Sequence, residues 1–393
     1  MLPKRIVLVM IDPPLPFGSA AGRWYYVLLK GLTARGHRVT AFASCARAED
    51  IEAARALFPA PEYDLRLYEV VVGERLFAKL GTLARPFSFM FSDAFEKDLY
   101  ATLAGGFDVL HLEQLWSGWL GRRHAGKAVL SLHYLLRIDM SAAQARSLKD
   151  RLYRRLEAFW EPRLIRAFQH FSVCTPRLGA EVRRTNPEAD IAVIPFGLDF
   201  AGYPFIPDER RPGAPVVTLI GKMDWEPTRS SAARILERLW PEIHRRVPEA
   251  RLRIVGWRAR AELARFLDVP AEGVSIVENV PDIRPYFEEA SVLLYAPSRG
   301  SGLKIKVVEA MALGVPVVTT SEGVEGLPAM DGVHAGIHDD DEGLIERTVA
   351  LLRDPARQNR QRLAARRMIE AVCAPETALD AVEGLYERIG LTP

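Results

Sequence analysis

An α/β fold built on two doubly wound parallel sheets is the architecture this sequence predicts, and three features carry the prediction. Short, continuous apolar runs recur along the chain, the pattern of strands buried on both faces of a parallel sheet. Stretches with apolar residues three and four apart separate these runs, so strand and helix alternate throughout. The series also starts twice, on either side of residues 196–215, which are rich in prolines, glycines and charges, and 393 residues exceed what one core organises.

In the first series, residues 5–11 (RIVLVMI) read as a buried strand, followed by a Pro/Gly loop over 13–22. A helical pattern through Trp24, Val27, Leu28 and Leu32 ends near Gly36, before a strand at 37–43, which completes a βαβ unit. Further strands are expected at 63–72, 107–112, 128–132, 171–174 and 191–194. The second series has strands at 216–220, 251–255, 274–277, 292–295 and 315–320, with helices at 229–247 and 305–313. The stretches 341–353, 355–372 and 375–389 read as amphipathic helices. Domain boundaries are expected at 1–198 and 199–374, leaving 375–393 as a last helix.

Composition narrows the function classes. An apolar share of 49% with 26% charged residues is that of a folded protein with a sizeable core. The formal net charge of +2, from 52 basic and 50 acidic residues, lacks the basic excess of a nucleic-acid binder, so no nucleic-acid partner is expected. Cys45, Cys174 and Cys373 are scattered without CxxC spacing, which suggests neither a zinc site nor a disulfide framework and fits a reducing cytoplasm. The N-terminal apolar run is too short for a signal-peptide core, and no run approaches the ~20 residues of a membrane span, so membrane contact is expected to be peripheral at most.

The run from Ala296 to Leu327, APSRGSGLKIKVVEAMALGVPVVTTSEGVEGL, is the most informative. Gly300, Ser301 and Gly302 form a flexible loop that enters a helix, where backbone N–H groups and the positive end of the dipole can meet an anion. Lys304 and Lys306 fall in the first turn, where a cation opposes the dipole and needs another reason to be present. Read alone, this is equally a surface turn with two solvated lysines.

The same run resembles the donor-binding element of retaining GT-B glycosyltransferases of family 4, in the branch with GxGxxxK, then Glu, then PVV. The resemblance implies two Rossmann-like domains facing a central cleft, with the final helix packing back on the N-terminal domain. It implies a ribose-binding role for Glu309, and contact of Gly300, Ser301, Gly302 and Leu303 with the donor sugar and diphosphate. Ile220-Gly221-Lys222-Met223-Asp224-Trp225-Glu226-Pro227 is similar to the family's G-[RK]-x-x-W-x-P element, which makes Lys222 the leading catalytic candidate beside Gly221. Many relatives carry a second lysine a few residues on; here Arg229 or Lys306 supplies that charge. Val280, in Asn279-Val-Pro-Asp282, stands near the expected nucleobase site.

In the first half, Gly18 and Ser19 lie in a loop that departs from the dinucleotide fingerprint, since Gly18 and Gly22 are spaced GxxxG and no acid clearly ends the second strand. The loop is similar to the family's N-domain glycine loop. His133 closes an apolar strand at the end of the sheet where ligands bind, and its position resembles that of the family histidine that contacts the donor sugar. His111 and Glu113 close the neighbouring strand; His111 reads equally as a cleft residue or as a satisfied core histidine.

Two further features have structural explanations. Asp339-Asp340-Asp341 mimics a DxD metal motif but immediately precedes a helix, where acids cap N–H groups, so no metal or other cofactor is expected. The arginine-rich stretch 146–166 reads as an ordinary helix packed by Tyr153, Leu156, Phe159 and Leu164, because Glu157 and Glu161 interrupt its basic face. The segment from Leu76 to Phe91, with four phenylalanines, Lys79 and Arg85, is the candidate for peripheral membrane contact or for a lipid-linked acceptor.

By resemblance the expected activity is transfer of a sugar from a nucleotide-sugar donor to a hydroxyl acceptor with retention and without a metal, in cytoplasmic synthesis of bacterial polysaccharide or glycoconjugate. A nucleotide-sugar epimerase and a non-catalytic nucleotide-sugar-binding or partner-stabilising homologue are the alternatives. Ser301, at the place of the first glutamate of many relatives, favours the second.

Overall fold

The computed structural model describes residues 2–70, 85–141, 147–207, 215–267, 272–280 and 282–389. By contacts the chain divides into two compact units. The first comprises Met1–Arg137, Gln144–Asp199 and Cys373–Pro393; the second comprises Ile138–Ala143 and Phe200–Val372.

The first unit holds β1 (Arg5–Met10), β2 (Arg38–Cys45), β3 (Asp64–Glu69), β4 (Val109–Leu112), β5 (Ala128–Leu132), β6 (His170–Val173) and β7 (Asp190–Val193). All neighbours are parallel, in the order β3-β2-β1-β4-β5-β6-β7. The direction of winding reverses between β1 and β4, which makes a ligand crevice at their carboxyl ends. The strand expected from 107 begins at Val109, because Gly106 turns the chain at φ 88° and the Asp108 N–H donates to the Arg5 carbonyl at 2.8 Å. The helix Pro375–Arg388 packs on this unit: Leu379 fills the space left by Gly31, and Arg35 pairs with Asp380 and Glu383.

The second unit holds β8 (Val216–Ile220), β9 (Arg251–Gly256), β10 (Val274–Glu278), β11 (Val292–Tyr295), β12 (Val317–Thr319) and β13 (Gly336–Ile337). The order is β10-β9-β8-β11-β12-β13, again parallel, with the switch point between β8 and β11. The two-residue β13 carries too short an apolar signal to be read from sequence. The helix expected over 229–247 is three pieces, α-helix Glu226–Arg234, π-turn Ile235–Leu239 and α-helix Trp240–Arg246. Pro241 lacks an N–H and would clash with the carbonyl four residues back, which the wider turn relieves.

The described residues before 208 in the stretch read as a linker are in large part packed. Tyr203 and Ile206 are buried, Arg366 donates to the Tyr203 carbonyl at 2.6 Å, and Arg362 donates to the Ile206 carbonyl. Helix Leu148–Arg166 also corrects its sequence reading. Glu161 is buried and pairs with Arg137 at 2.8 Å, whereas Phe159 is exposed. The acids therefore do not break up the outward face, and Phe159 does not pack the inward one. Residues 76–84 of the suggested membrane segment lie outside the described residues; of the remainder, Phe91 is buried and Phe89 exposed. Among the described residues no helix is long and apolar enough to cross a membrane.

Candidate active site

In the second unit, β8 ends in Ile220 and delivers Gly221 at φ 150°, so that its carbonyl lies against Gly256 at the end of β9. A Cβ on Gly256 would stand 1.7 Å from that oxygen. Lys222 follows, exposed at the switch point. Across the crevice, the loop after β11 leads into helix Ile305–Leu313, which brings Lys306 to the same place. Its Nζ donates to Thr228 Oγ1 at 2.6 Å and stands 4.2 Å from the centre of the Tyr295 ring, over its face. It is also close enough to Gly221 that a Cβ there would meet it at 2.9 Å.

Among the described residues no carboxylate pairs with Lys306. Burial and the neighbouring Lys304 pull its pKa down to about 7. The lysine therefore sits in a place that disfavours its charge. Arg229 is differently disposed: it is ion-paired with Glu226 and lies 3.4 Å from Glu262. Of the two alternatives for the second cation, Arg229 is thus held by carboxylates and Lys306 by a hydroxyl.

Two of the loop amides assigned to the donor already have protein partners. The Ser301 N–H and Oγ–H donate to Asp139 Oδ1 at 2.5 and 2.8 Å. The Gly302 N–H donates to Glu325 Oε1 at 3.3 Å. Lys304 turns back on this loop, donating to the Gly302 carbonyl at 2.6 Å and lying 3.6 Å from Glu325. In this state the loop is a filled cradle, and Asp139 and Glu325 are the residues sequence reasoning missed. Burial pushes the Asp139 carboxyl up to about 6, against the lowering effect of the Ser301 bonds. Leu303 is buried beneath the loop.

Glu309 is buried one turn from the end of its helix and accepts from Tyr203 Oη at 2.9 Å. Val280 follows β10, next to Asn279, whose φ of 55° and side-chain bond to the Arg258 N–H turn the chain at the sheet edge. The three aspartates are engaged separately. Asp339 accepts from Ser321, Asp340 caps the helix Asp341–Arg353 through the Gly343 N–H at 2.8 Å, and Asp341 pairs with Arg234 at 2.7 Å.

In the first unit, the loop after β1 carries Gly18 at φ 83° and Ser19, which caps helix Ala20–Ala34 by accepting from the Gly22 N–H at 2.9 Å. The Ser19 hydroxyl also donates to Asp12 at 3.0 Å. His133 stands at the end of β5 with Nε2 2.6 Å from Glu113 Oε2, its ring set between Tyr25 and Phe196. Glu113 has no exposed surface, and its other oxygen accepts from Trp24 Nε1 at 3.1 Å. His111 is equally enclosed, held by Tyr386 Oη at 2.5 Å and Ser131 Oγ at 2.8 Å. Glu113 and His111 thus stand behind His133 and do not line a surface themselves. Burial alone would raise the Glu113 carboxyl, yet His133 and His111 overcome it and hold it at about 2.

Two doubly wound parallel sheets, each gathering its loops at a switch point, are the architecture of the GT-B fold. Residues 21–201 match the family model of Glycosyltransferase Family 4, and residues 214–354 match that of Glycosyl transferases group 1. Together the two matches span most of the chain, and with the fold they support a GT-B glycosyltransferase of group 1. It is 34% identical over 98 residues to an uncharacterized glycosyltransferase of Haemophilus influenzae, a match that spans 23% of this chain and 27% of that relative. Its fold is similar to that of a sucrose-phosphate synthase of Thermosynechococcus elongatus, at 18% identity and a TM-score of 0.72 over 99% of this chain and 100% of the other. HepE of Anabaena, crystallised with UDP-glucose, is 12% identical with a TM-score of 0.69 over 98% and 100% of the two chains.

Proposed function

We propose that this protein transfers a sugar from a nucleoside diphosphate sugar to a hydroxyl acceptor with retention of anomeric configuration, using its own cations in place of a divalent metal. The observation that carries the proposal is Lys306, whose ammonium lies at the switch point with only a hydroxyl and an aromatic face for company. An arriving diphosphate restores its charge, and Lys222, next in the chain to Gly221, adds a second cation as charge develops on the leaving nucleotide.

In the transfer step the acceptor oxygen bonds to the anomeric carbon as the bond from that carbon to the diphosphate oxygen breaks. The acceptor proton passes to the departing phosphate oxygen on the same face. Glu309 would meet the ribose, and His133 the sugar, as the resemblance implies. The acceptor class that fits the family is a growing bacterial surface glycan or glycoconjugate made on the cytoplasmic side, a lipid-linked one included.

The test is release of nucleoside diphosphate from a panel of nucleotide sugars with and without acceptor, in chelator, with the product anomer read by NMR. Acceptor-dependent release with a retained anomer is expected. Lys222→Ala should lower turnover about 10²–10³-fold. Inversion, a strict metal requirement, or conversion of the free nucleotide sugar without acceptor would each overturn the corresponding part.

A further inference from the structure

Helix Leu148–Arg166 has two faces of opposite chemistry. Its acids lie off the outward stripe: Asp150 pairs with Arg154 one turn on, Glu161 is buried against Arg137, and Glu157 lines a cavity with Pro86, Phe87, Phe89 and Tyr153. Outward, at spacings of four, eight and three, it exposes Arg151, Arg155, Arg163 and Arg166, and no acid shares that face among the described residues.

Large apolar side chains lie on the same outward stripe. Leu148 is 79% exposed, Leu152 50% and Phe159 47%, with the Arg163 guanidinium 3.4 Å from the Phe159 ring centre. A helix face that only meets water mixes charges of both signs and hides leucine and phenylalanine.

We propose that this face docks on an anionic lipid bilayer, with the helix lying in the plane of the interface. Arginines on the face meet lipid phosphates, while Leu148, Leu152 and Phe159 enter the boundary of the acyl chains. Positive charge alone would suit nucleic acid or an acidic protein. Three bulky apolar side chains between the arginines select a partner with an apolar layer beneath its phosphates.

The test is flotation of the full chain with phosphatidylglycerol–phosphatidylcholine vesicles and with phosphatidylcholine alone. No sugar donor is present, so the result is independent of the transferase reading. Binding to the anionic vesicles is expected, weakening as salt is added. Arg155→Glu/Arg163→Glu should reduce it roughly ten-fold or more, and Leu152→Ser/Phe159→Ser should abolish the part that survives high salt. Unchanged thermal midpoints show that both variants fold; should one not fold, Arg151→Gln/Arg155→Gln replaces it. The proposal is overturned if the wild type stays with the soluble fraction at low salt, binds phosphatidylcholine equally well, or binds as before after charge reversal. Capture by polyglutamate or duplex DNA without vesicle binding would overturn it as well.

Discussion

Glu113 Oε2 lies 2.6 Å from His133 Nε2, and the glutamate that makes this contact has no surface of its own. A wholly buried carboxylate fixes which imidazole nitrogen carries the proton and leaves Nδ1 as the free edge of the ring. Glu113 is therefore a positioning residue for His133. Glu113→Gln keeps the shape but loses the charge that orders the ring, and turnover is expected to fall about 10²-fold with little change in donor KM. A rise in KM alone would show that the contact serves binding and not orientation.

The same carboxyl makes stability depend on acid. Folded Glu113 stays ionised down to about 2, whereas its ordinary value is 4.5, so the unfolded chain takes up this proton first. The stabilisation is complete above pH 4.5 and is lost as pH falls through that window towards 2. Urea midpoints measured across the window should fall less steeply for Glu113→Gln than for the wild type. Parallel curves would mean that the histidines do not hold the charge.

Lys306 gives proton linkage of the opposite kind. Free, it titrates at about 7 against an ordinary 10.5, and a bound diphosphate moves it back up. Binding a nucleoside diphosphate above neutrality should take up close to one proton, and below about pH 6 almost none. Calorimetry in two buffers of different ionisation enthalpy reads that number directly. Lys306→Met should remove the uptake, and an unchanged uptake would assign the proton elsewhere.

Both sheets and most strands were legible, because strands buried on both faces leave uninterrupted apolar runs that no loop imitates. Lys222, Lys306 and Glu309 were singled out by the motifs that hold them, and the structure leaves Lys222 exposed, sets Lys306 against Thr228 and buries Glu309 against Tyr203. Asp139 was not: it is over 160 positions from Ser301, and nothing in Ile138-Asp139-Met140 marks it as the partner of a glycine loop. The outward stripe of Leu148–Arg166 was visible as spacing but misread, since sequence alone does not say which face packs and Glu157 and Glu161 point inward. Phe196 is fixed by packing that its sequence neighbours do not announce, stacked on Trp24 at 5.7 Å and against His133 at 4.6 Å.

Gly256, at the end of β9, and Gly18, in the loop after β1, are needed for different reasons, and substitution separates them. Gly256→Ala puts a methyl 1.7 Å from the Gly221 carbonyl, so β9 and the Lys222 loop must part. A loss of about 3 kcal/mol or more is expected, together with loss of donor binding. Gly18 has open space around a Cβ and only its φ of 83° to protect, so Gly18→Ala should cost about 1 kcal/mol. Thermal unfolding ranks the two, and a reversed order would refute the packing assigned to Gly256.

Asp139 is the residue most able to contend with the donor. Its carboxyl, at about 6, is ionised above that pH and occupies the Ser301 N–H and hydroxyl. A second negative group near the loop is repelled, by about 1 kcal/mol at a separation of ~4 Å in water, or roughly five-fold in affinity. Asp139→Asn keeps an oxygen for Ser301 and removes the charge. Its affinity for a nucleoside diphosphate should exceed that of the wild type above pH 6, and the two should converge below it as the wild-type carboxyl takes up its proton. Stability follows the same direction. Because the folded pKa is raised from 3.8, burial of the charge costs most above about 6 and is relieved as pH falls towards 3.8, so the asparagine variant should be at least as stable as the wild type at alkaline pH. Equal dissociation constants for the two proteins at every pH would show that the diphosphate never approaches Asp139.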